Sequence, residues 1–236
     1  MKADKSQVFQ FRRFSVCHAR CAMKVGTDGV LLGLLSPVSG RRFLDIGTGS
    51  GLVALLLAQR APEAQITGID IDGDAVGQAA DNFNASPWAA RLQSVMADAC
   101  DFAPQKNYDL IVSNPPYYEN SPDASSIRRD AARRCDSLPH ACLVATVVRL
   151  LAADGCFSVI LPARDTEHFI FQCWQSGLHL RRRHRIFTKP GKPCKREVLV
   201  FSRESGAVDT AELLLTEASG CRSKAYADLV KDFFIR

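Results

Sequence analysis

No apolar stretch among the 236 residues approaches the roughly 20 needed for a helix to cross a bilayer. The opening residues, Met1-Lys2-Ala3-Asp4-Lys5-Ser6-Gln7, also lack the apolar core of a secretory signal. A cytoplasmic protein is the expectation. There is no internal repeat, low-complexity tract or evident linker, so one domain over residues 1–236 is expected, with residues 1–40 an extension packed against it. With 47% hydrophobic and 23% charged residues, the composition is that of an ordinary globular protein able to bury a sizeable core.

A C-x-x-C pair is also missing. The nine cysteines, at 17, 21, 100, 135, 142, 156, 173, 194 and 221, are scattered. The only close cluster is Cys17-His18 with Cys21, and no second Cys/His pair at zinc spacing partners it. Free, mostly buried thiols and no metal site are expected.

Charge of one sign does not dominate, since the net is only +5, but its distribution is uneven. Residues 181–196 hold eight of the thirty Lys and Arg: Arg181, Arg182, Arg183, Arg185, Lys189, Lys192, Lys195 and Arg196. Arg128, Arg129, Arg133 and Arg134 form a second group. A charge run is most simply a solvated face. Two runs, one close to the motif described below, point to a polyanionic partner, and Arg128, Arg129, Arg133, Arg134, Lys189, Lys192, Lys195 and Arg196 are the candidate contacts with RNA.

Strand and helix patterns alternate from residue 42. Strands are expected at 42–46, 65–70, 92–96, 108–113, 155–161, 179–187 and 196–201, with helices at 52–60, 73–85, 138–151 and 166–176. Such alternation implies a mostly parallel sheet covered by helices on both faces. The Lys-Pro-Gly-Lys-Pro loop between the last two strands is too short for a parallel crossover, so that pair should be antiparallel.

The first of these strands runs into Asp45-Ile46-Gly47-Thr48-Gly49-Ser50-Gly51. Glycines allow the tight turn and let backbone N–H groups approach a ligand at the carboxyl end of a strand. A structural turn would use glycine too. The dinucleotide fingerprint G-x-G-x-x-G would need glycine where Leu52 stands, which disfavours a nicotinamide enzyme. The next strand ends in Asp70-Ile71-Asp72. There Asp70 could accept the hydroxyls of a ribose, and Asp72 could cap the following helix. Asp98, followed by Ala99, ends the third strand and could accept a hydrogen bond from an adenine amino group; alone, it would be an ordinary loop residue.

The fourth strand ends in Asn114-Pro115-Pro116-Tyr117. Two prolines end a strand, but they do not account for the amide and the ring beside them. An exocyclic amino group is a poor nucleophile because its lone pair is delocalised into the ring. The Asn114 side-chain oxygen and the Pro115 carbonyl could hold its two N–H bonds and aim that lone pair, Pro116 could make the acceptors rigid, and Tyr117 could stack on a planar base. No histidine suggests a general base.

Taken together, Asp45–Gly51, Asp70, Asp98 and Asn114–Tyr117 resemble the successive motifs of the Rossmann-like S-adenosylmethionine (SAM)-dependent amino-methyltransferases. That resemblance implies a seven-stranded, mostly parallel sheet with an antiparallel final strand. It also implies a SAM site drawn from Asp45, Gly47, Gly49, Gly51, Asp70, Ile71, Asp98, Ala99 and Asn114. Members with this motif modify adenine N6, guanine N2 or glutamine amides. The segments Phe9-Gln10-Phe11, Met23-Lys24-Val25-Gly26-Thr27-Asp28-Gly29 and Tyr226–Phe234 are similar to the start and end of the tRNA1(Val) adenine-N6-methyltransferase family. The similarity spans nearly the whole chain, although the final aromatics differ from that family's Phe-Tyr-Leu. It implies methylation of the adenosine 3′ of the anticodon in a tRNA. It also places the N-terminal extension on the cofactor side, with Lys24 and Thr27 at the cofactor. The residues themselves explain Thr27 or Asp28 equally well as the cap of a helix from Gly29 to Leu35. A protein-glutamine methyltransferase would use the same motif but not the basic runs, and a non-catalytic RNA-binding module would not need an intact Asn114–Tyr117.

Overall fold

The computed structural model describes residues 7–21, 23–116 and 138–235. Its strands are β1 (Val8–Gln10), β2 (Ser15–Cys17), β3 (Arg42–Ile46), β4 (Gln65–Asp70), β5 (Leu92–Met96), β6 (Tyr108–Ser113), β7 (Leu151–Pro162), β8 (His179–Phe187), β9 (Arg196–Ser202) and β10 (Asp209–Leu214). Its helices are α1 (Thr27–Leu35), α2 (Leu52–Arg60), α3 (Gly73–Asn84), α4 (His140–Leu150), α5 (Thr166–Gln175) and α6 (Lys224–Val230).

Eight strands form one sheet in the order β10-β8-β9-β7-β6-β3-β4-β5. β5, β4, β3, β6 and β7 run parallel, and β9 lies antiparallel between β7 and β8. The expected antiparallel hairpin is therefore present. The strand count differs from the expected seven, because Asp209–Leu214 pairs in parallel with β8 and adds an edge. Four of its six residues, Asp-Thr-Ala-Glu, are exposed, so it lacks the apolar pattern by which a buried strand is recognised.

Alternate residues of each central strand feed opposite layers. Phe43, Leu110 and Val112 join the core under α1 and α2, whereas Leu44, Ile46 and Ile111 join the core under α4 and α5. A sheet covered on both faces needs such continuous apolar strands. Helices α1 and α2 approach closely because Gly29 and Gly33 face Leu52 and Leu56; a Cβ at Gly33 would come within 2.8 Å of Leu56.

The N-terminal hairpin β1–β2 docks on α3. Asn82, buried in α3, accepts the Cys17 N–H at 3.0 Å and donates to the Cys17 carbonyl at 2.7 Å. Arg20 pairs with Asp81 on the same helix. The two ends of the chain meet where Phe11 bridges to Phe234.

Two expectations need correction. Gly26, not Thr27 or Asp28, occupies the cap position of α1, and no side chain caps it; Thr27 opens the helix. Cys100 and Cys142 are joined as a disulfide, with Cα atoms 5.9 Å apart. Their separation of 42 residues carries no spacing signal, and only the fold brings them together. Among the described free cysteines only Cys173 is buried.

Candidate active site

Strands β3 and β6 are neighbours, with Ile46 opposite Ser113. Chain connections leave them in opposite directions across the sheet, β3 toward β4 and β6 toward β7. A crevice opens at the carboxyl ends of strands where the order reverses in this way. The glycine loop leaves β3 there, and Asn114 leaves β6 there. The Ser113 hydroxyl donates to the Ile46 carbonyl at 3.0 Å and fixes the two strand ends to each other.

Gly47, Gly49 and Gly51 all have positive φ, at 73°, 53° and 79°. Gly51 must be glycine on two counts, since a Cβ there would also strike the Phe83 ring at 2.4 Å. In front of Gly47 and Gly49 the space is open, with no atom within 4 Å of a built Cβ. Gly49 N–H donates to the Asp70 carboxylate at 2.9 Å, and the other Asp70 oxygen accepts the Asp72 N–H at 3.1 Å. Asp72 caps α3 by accepting the Asp74 N–H at 2.9 Å, the role expected of it.

Asp45 points inward. It is 1% exposed, and its carboxylate accepts the Thr48 hydroxyl at 2.8 Å. Burial pushes its pKa up to about 7, with the Thr48 and Ala54 hydrogen bonds opposing the shift. Its observed contacts brace the loop from behind.

Ile71 and Met96 are exposed apolar side chains beside Asp70, at 51% and 66%, and Met96 lies close to Gly73. Asp98 is exposed, with one oxygen accepting the Cys100 N–H at 2.8 Å. Ala99 is buried, and its carbonyl accepts from Thr146 at 2.9 Å and Arg149 at 3.2 Å. Asn114 is half-buried, Pro115 buried and Pro116 exposed. Lys24 and Thr27 are exposed just before and at the start of α1. The glycine loop, Asp70, Ile71, Asp98 and Asn114 thus all lie at or just after the carboxyl ends of parallel strands β3, β4, β5 and β6. Tyr117, Arg128, Arg129, Arg133 and Arg134 lie outside the described residues.

Most arginines of the run 181–185 are engaged within the fold. Arg183 forks onto Glu197 at 2.7 and 3.0 Å and reaches Glu167, Arg185 pairs with Glu212, and Arg182 pairs with Asp209. Arg196 donates to Asp28 at 2.9 Å. Lys189 and Lys192 are exposed and Lys195 is exposed beside them; among the described residues none of the three has a carboxylate partner.

Sequence reasoning overlooked Asn82. Besides holding Cys17, its amide donates to the Ser50 carbonyl at 2.8 Å, so one residue ties the N-terminal hairpin to the glycine loop. It carries no local signal. Burial, reinforced by the charges of Asp70 and Asp72, pushes the Cys21 thiol up to about 11. Among the described residues no group of three His, Cys, Asp or Glu could hold a metal.

A mostly parallel sheet with one inserted antiparallel strand, a triple-glycine turn after β3 and an acid after β4 define a methyltransferase of Rossmann-like fold. Residues 17–136 match the methyltransferase small domain family. The chain is 43% identical over 228 residues to a tRNA1(Val) (adenine(37)-N6)-methyltransferase of Phocaeicola vulgatus, covering 96% of this chain and 97% of that protein. It is 42% identical over 231 residues to the protein of the same name from Yersinia pestis, covering 96% and 93%. It belongs to the tRNA1(Val) (adenine(37)-N6)-methyltransferase family. Solved structures share the fold. A predicted O-methyltransferase from Agrobacterium tumefaciens, 19% identical, superposes with a TM-score of 0.67 over 87% of this chain and 96% of that one. A glycopeptide N-methyltransferase in complex with SAM, 11% identical, gives 0.57 over 75% and 95%.

Proposed function

We propose that this chain transfers a methyl group from SAM to N6 of an adenosine in a tRNA anticodon loop, at position 37 of a tRNA-Val. The observation that carries this reading is the pairing of β3 with β6, which sets Asn114-Pro115 beside the glycine loop. Open space before Gly47 and Gly49, flanked by Asp70, suits a cofactor that carries a ribose. SAM, when bound, supplies an electrophilic sulfonium methyl. Gly47, Gly49 and Gly51 shape its cradle, Asp70 takes the ribose hydroxyls, Ile71 and Asp98 take the adenine end, and Lys24 and Thr27 close the near side.

Asn114 and the Pro115 carbonyl hold the two N–H bonds of the target amine, so its lone pair faces the methyl. The nitrogen–carbon bond would form as the sulfur–carbon bond breaks, and the proton would leave the methylated amine afterwards, so Asn114 and Pro115 need only orient the amine and not deprotonate it. Orientation of this kind can contribute roughly 7–11 kcal/mol when geometry is ideal. Tyr117 stacks on the flipped base. Lys189, Lys192 and Lys195, with Arg128, Arg129, Arg133 and Arg134, hold phosphates. The chain acts as one domain in the cytoplasm, where such RNA is made.

Mass spectrometry of nucleosides from tRNA incubated with the protein and SAM tests this directly, with a release factor as the competing substrate. N6-methyladenosine in tRNA is the expected product. Methylglutamine in the release factor, with unmodified tRNA, overturns the reading.

A further inference from the structure

The segment between β2 and α1 is tied to the glycine loop at its start and to the basic hairpin at its end. Cys17 and Arg20 fasten its start to α3 through Asn82, Gln78 and Asp81. Asn82 also donates to the Ser50 carbonyl at 2.8 Å, which ties that start to the glycine loop. Eight residues after Arg20, Asp28 in the first turn of α1 accepts the Arg196 Nε–H at 2.9 Å. The α1 turn itself rests on the helix that follows the glycine loop, where a Cβ at Gly29 would come within 3.0 Å of Leu52.

Arg196 stands at the root of the basic hairpin. It opens β9, opposite Pro162 of β7 and Ile186 of β8. Lys195, its neighbour, donates its N–H to the Ile186 carbonyl at 2.9 Å, and its carbonyl accepts the Ala163 N–H at 3.3 Å. The loop bearing Lys189 and Lys192 therefore projects from a base that Arg196 fixes. With side chains only 20% and 26% exposed, Arg196 and Asp28 are sheltered enough for their bond to hold a geometry that a solvated surface pair would not. They are 168 residues apart in sequence.

We propose that Asp28 and Arg196 are a positioning pair that couples the two binding sites, so that a filled cofactor site tightens RNA binding by the hairpin and bound RNA tightens the cofactor by the same factor. This rests on the function proposed above. Equality of the two factors is a thermodynamic requirement once both ligands bias one shared element. The shared element here is the start of α1 in its Asp28–Arg196-bonded position. Ligand at the cradle favours that position through Leu52, which follows the glycine loop and packs on Gly29, and phosphates on the hairpin favour it through the root at Arg196. Arg196 thereby acts through the lysines of the loop and not by touching RNA itself.

The test is the ratio of dissociation constants for an anticodon stem-loop RNA measured by fluorescence anisotropy without and with saturating S-adenosylhomocysteine. The wild-type ratio is expected to be at least about 5, the lower end of ordinary coupling. The ratio of cofactor constants without and with RNA should match it. Asp28→Asn and Arg196→Gln should each bring the ratio to within about twofold of 1, and Arg196→Lys, which keeps the charge, should retain part of it. A purely structural role would weaken individual constants while leaving the ratio intact. A wild-type ratio near 1, or variants that keep the full ratio, overturns the proposal. Methylation of the same RNA is followed in parallel. RNA that binds without being methylated counts against the proposed function, whereas RNA that is methylated with a ratio of 1 counts against the coupling alone.

Discussion

The Asp70 carboxylate accepts the Gly49 N–H at 2.9 Å, joining the end of β4 to the crest of the glycine loop. The same carboxylate therefore shapes the loop and faces the crevice. Asp70→Ala is expected to weaken SAM binding by about 10–100-fold in calorimetry, the equivalent of losing charged hydrogen bonds worth roughly 1.5–3 kcal/mol. Circular dichroism should show an intact fold. Unchanged affinity removes Asp70 from the ribose.

Asn114 should matter to the chemical step and little to cofactor affinity. Asn114→Ala is expected to lower kcat on the order of 10²-fold, as removal of one preorganised polar group does. Tyr117→Phe should be mild and Tyr117→Ala severe, since stacking needs the ring and not its hydroxyl. Equal damage from both Tyr117 variants would show the hydroxyl to be what counts.

Asn82 makes three hydrogen bonds with main-chain groups of Cys17 and Ser50, at 3.0, 2.7 and 2.8 Å. Its loss leaves those groups unpaired in a buried place. Asn82→Ala is expected to cost about 2–4 kcal/mol of stability in urea titration, and to weaken SAM binding because Ser50 belongs to the glycine loop. A variant within ~0.5 kcal/mol of wild type would mean that solvent reaches these groups.

Asp45 sets a pH dependence. Its folded pKa of about 7 lies above the ordinary 3.8 because burial disfavours the charged form. A carboxyl raised in this way contributes stability that is full below its unfolded pKa and is lost as pH rises through the folded one. Relative to Asp45→Asn, wild-type protein should therefore lose stability between pH 4 and pH 7 (~3.8 to ~7 for this group) and change little above that. Thermal melts of both proteins across the range read the difference. A constant offset would mean that Asp45 titrates at an ordinary carboxylate pKa.

The basic hairpin is best tested with Lys189, Lys192 and Lys195 replaced by Ala while Arg196 is kept, since Arg196 is held by Asp28. The triple variant should raise the KM for tRNA and flatten the dependence of log K on log[salt]. The slope should fall by ~0.9 for each duplex phosphate no longer neutralised, or ~0.7 for each single-stranded one. Wild-type tRNA affinity and slope would return these lysines to ordinary surface charge.

Local pattern determined much of this protein. Alternation of apolar strands and amphipathic helices follows from side-chain periods of 2 and 3.6, so the βα order from Arg42 to Phe201 was readable, although the strand expected to start at 155 begins at Leu151. Gly47, Gly49 and Gly51 announced a tight turn because only glycine adopts positive φ without strain, and Pro115-Pro116 announced the end of β6 because proline lacks a donor. Capping of α3 by Asp72 was equally local. The tertiary structure alone decided what depends on residues far apart in sequence. Asn82 reaches Ser50 across 32 residues, Asp28 reaches Arg196 across 168, and Cys100 meets Cys142 across 42. Such pairs have no period and leave no trace in spacing. The eighth strand shows the same limit: Asp209–Leu214 is mostly exposed, so its place in the sheet comes from the backbone groups that β8 offers and not from a hydrophobic face of its own.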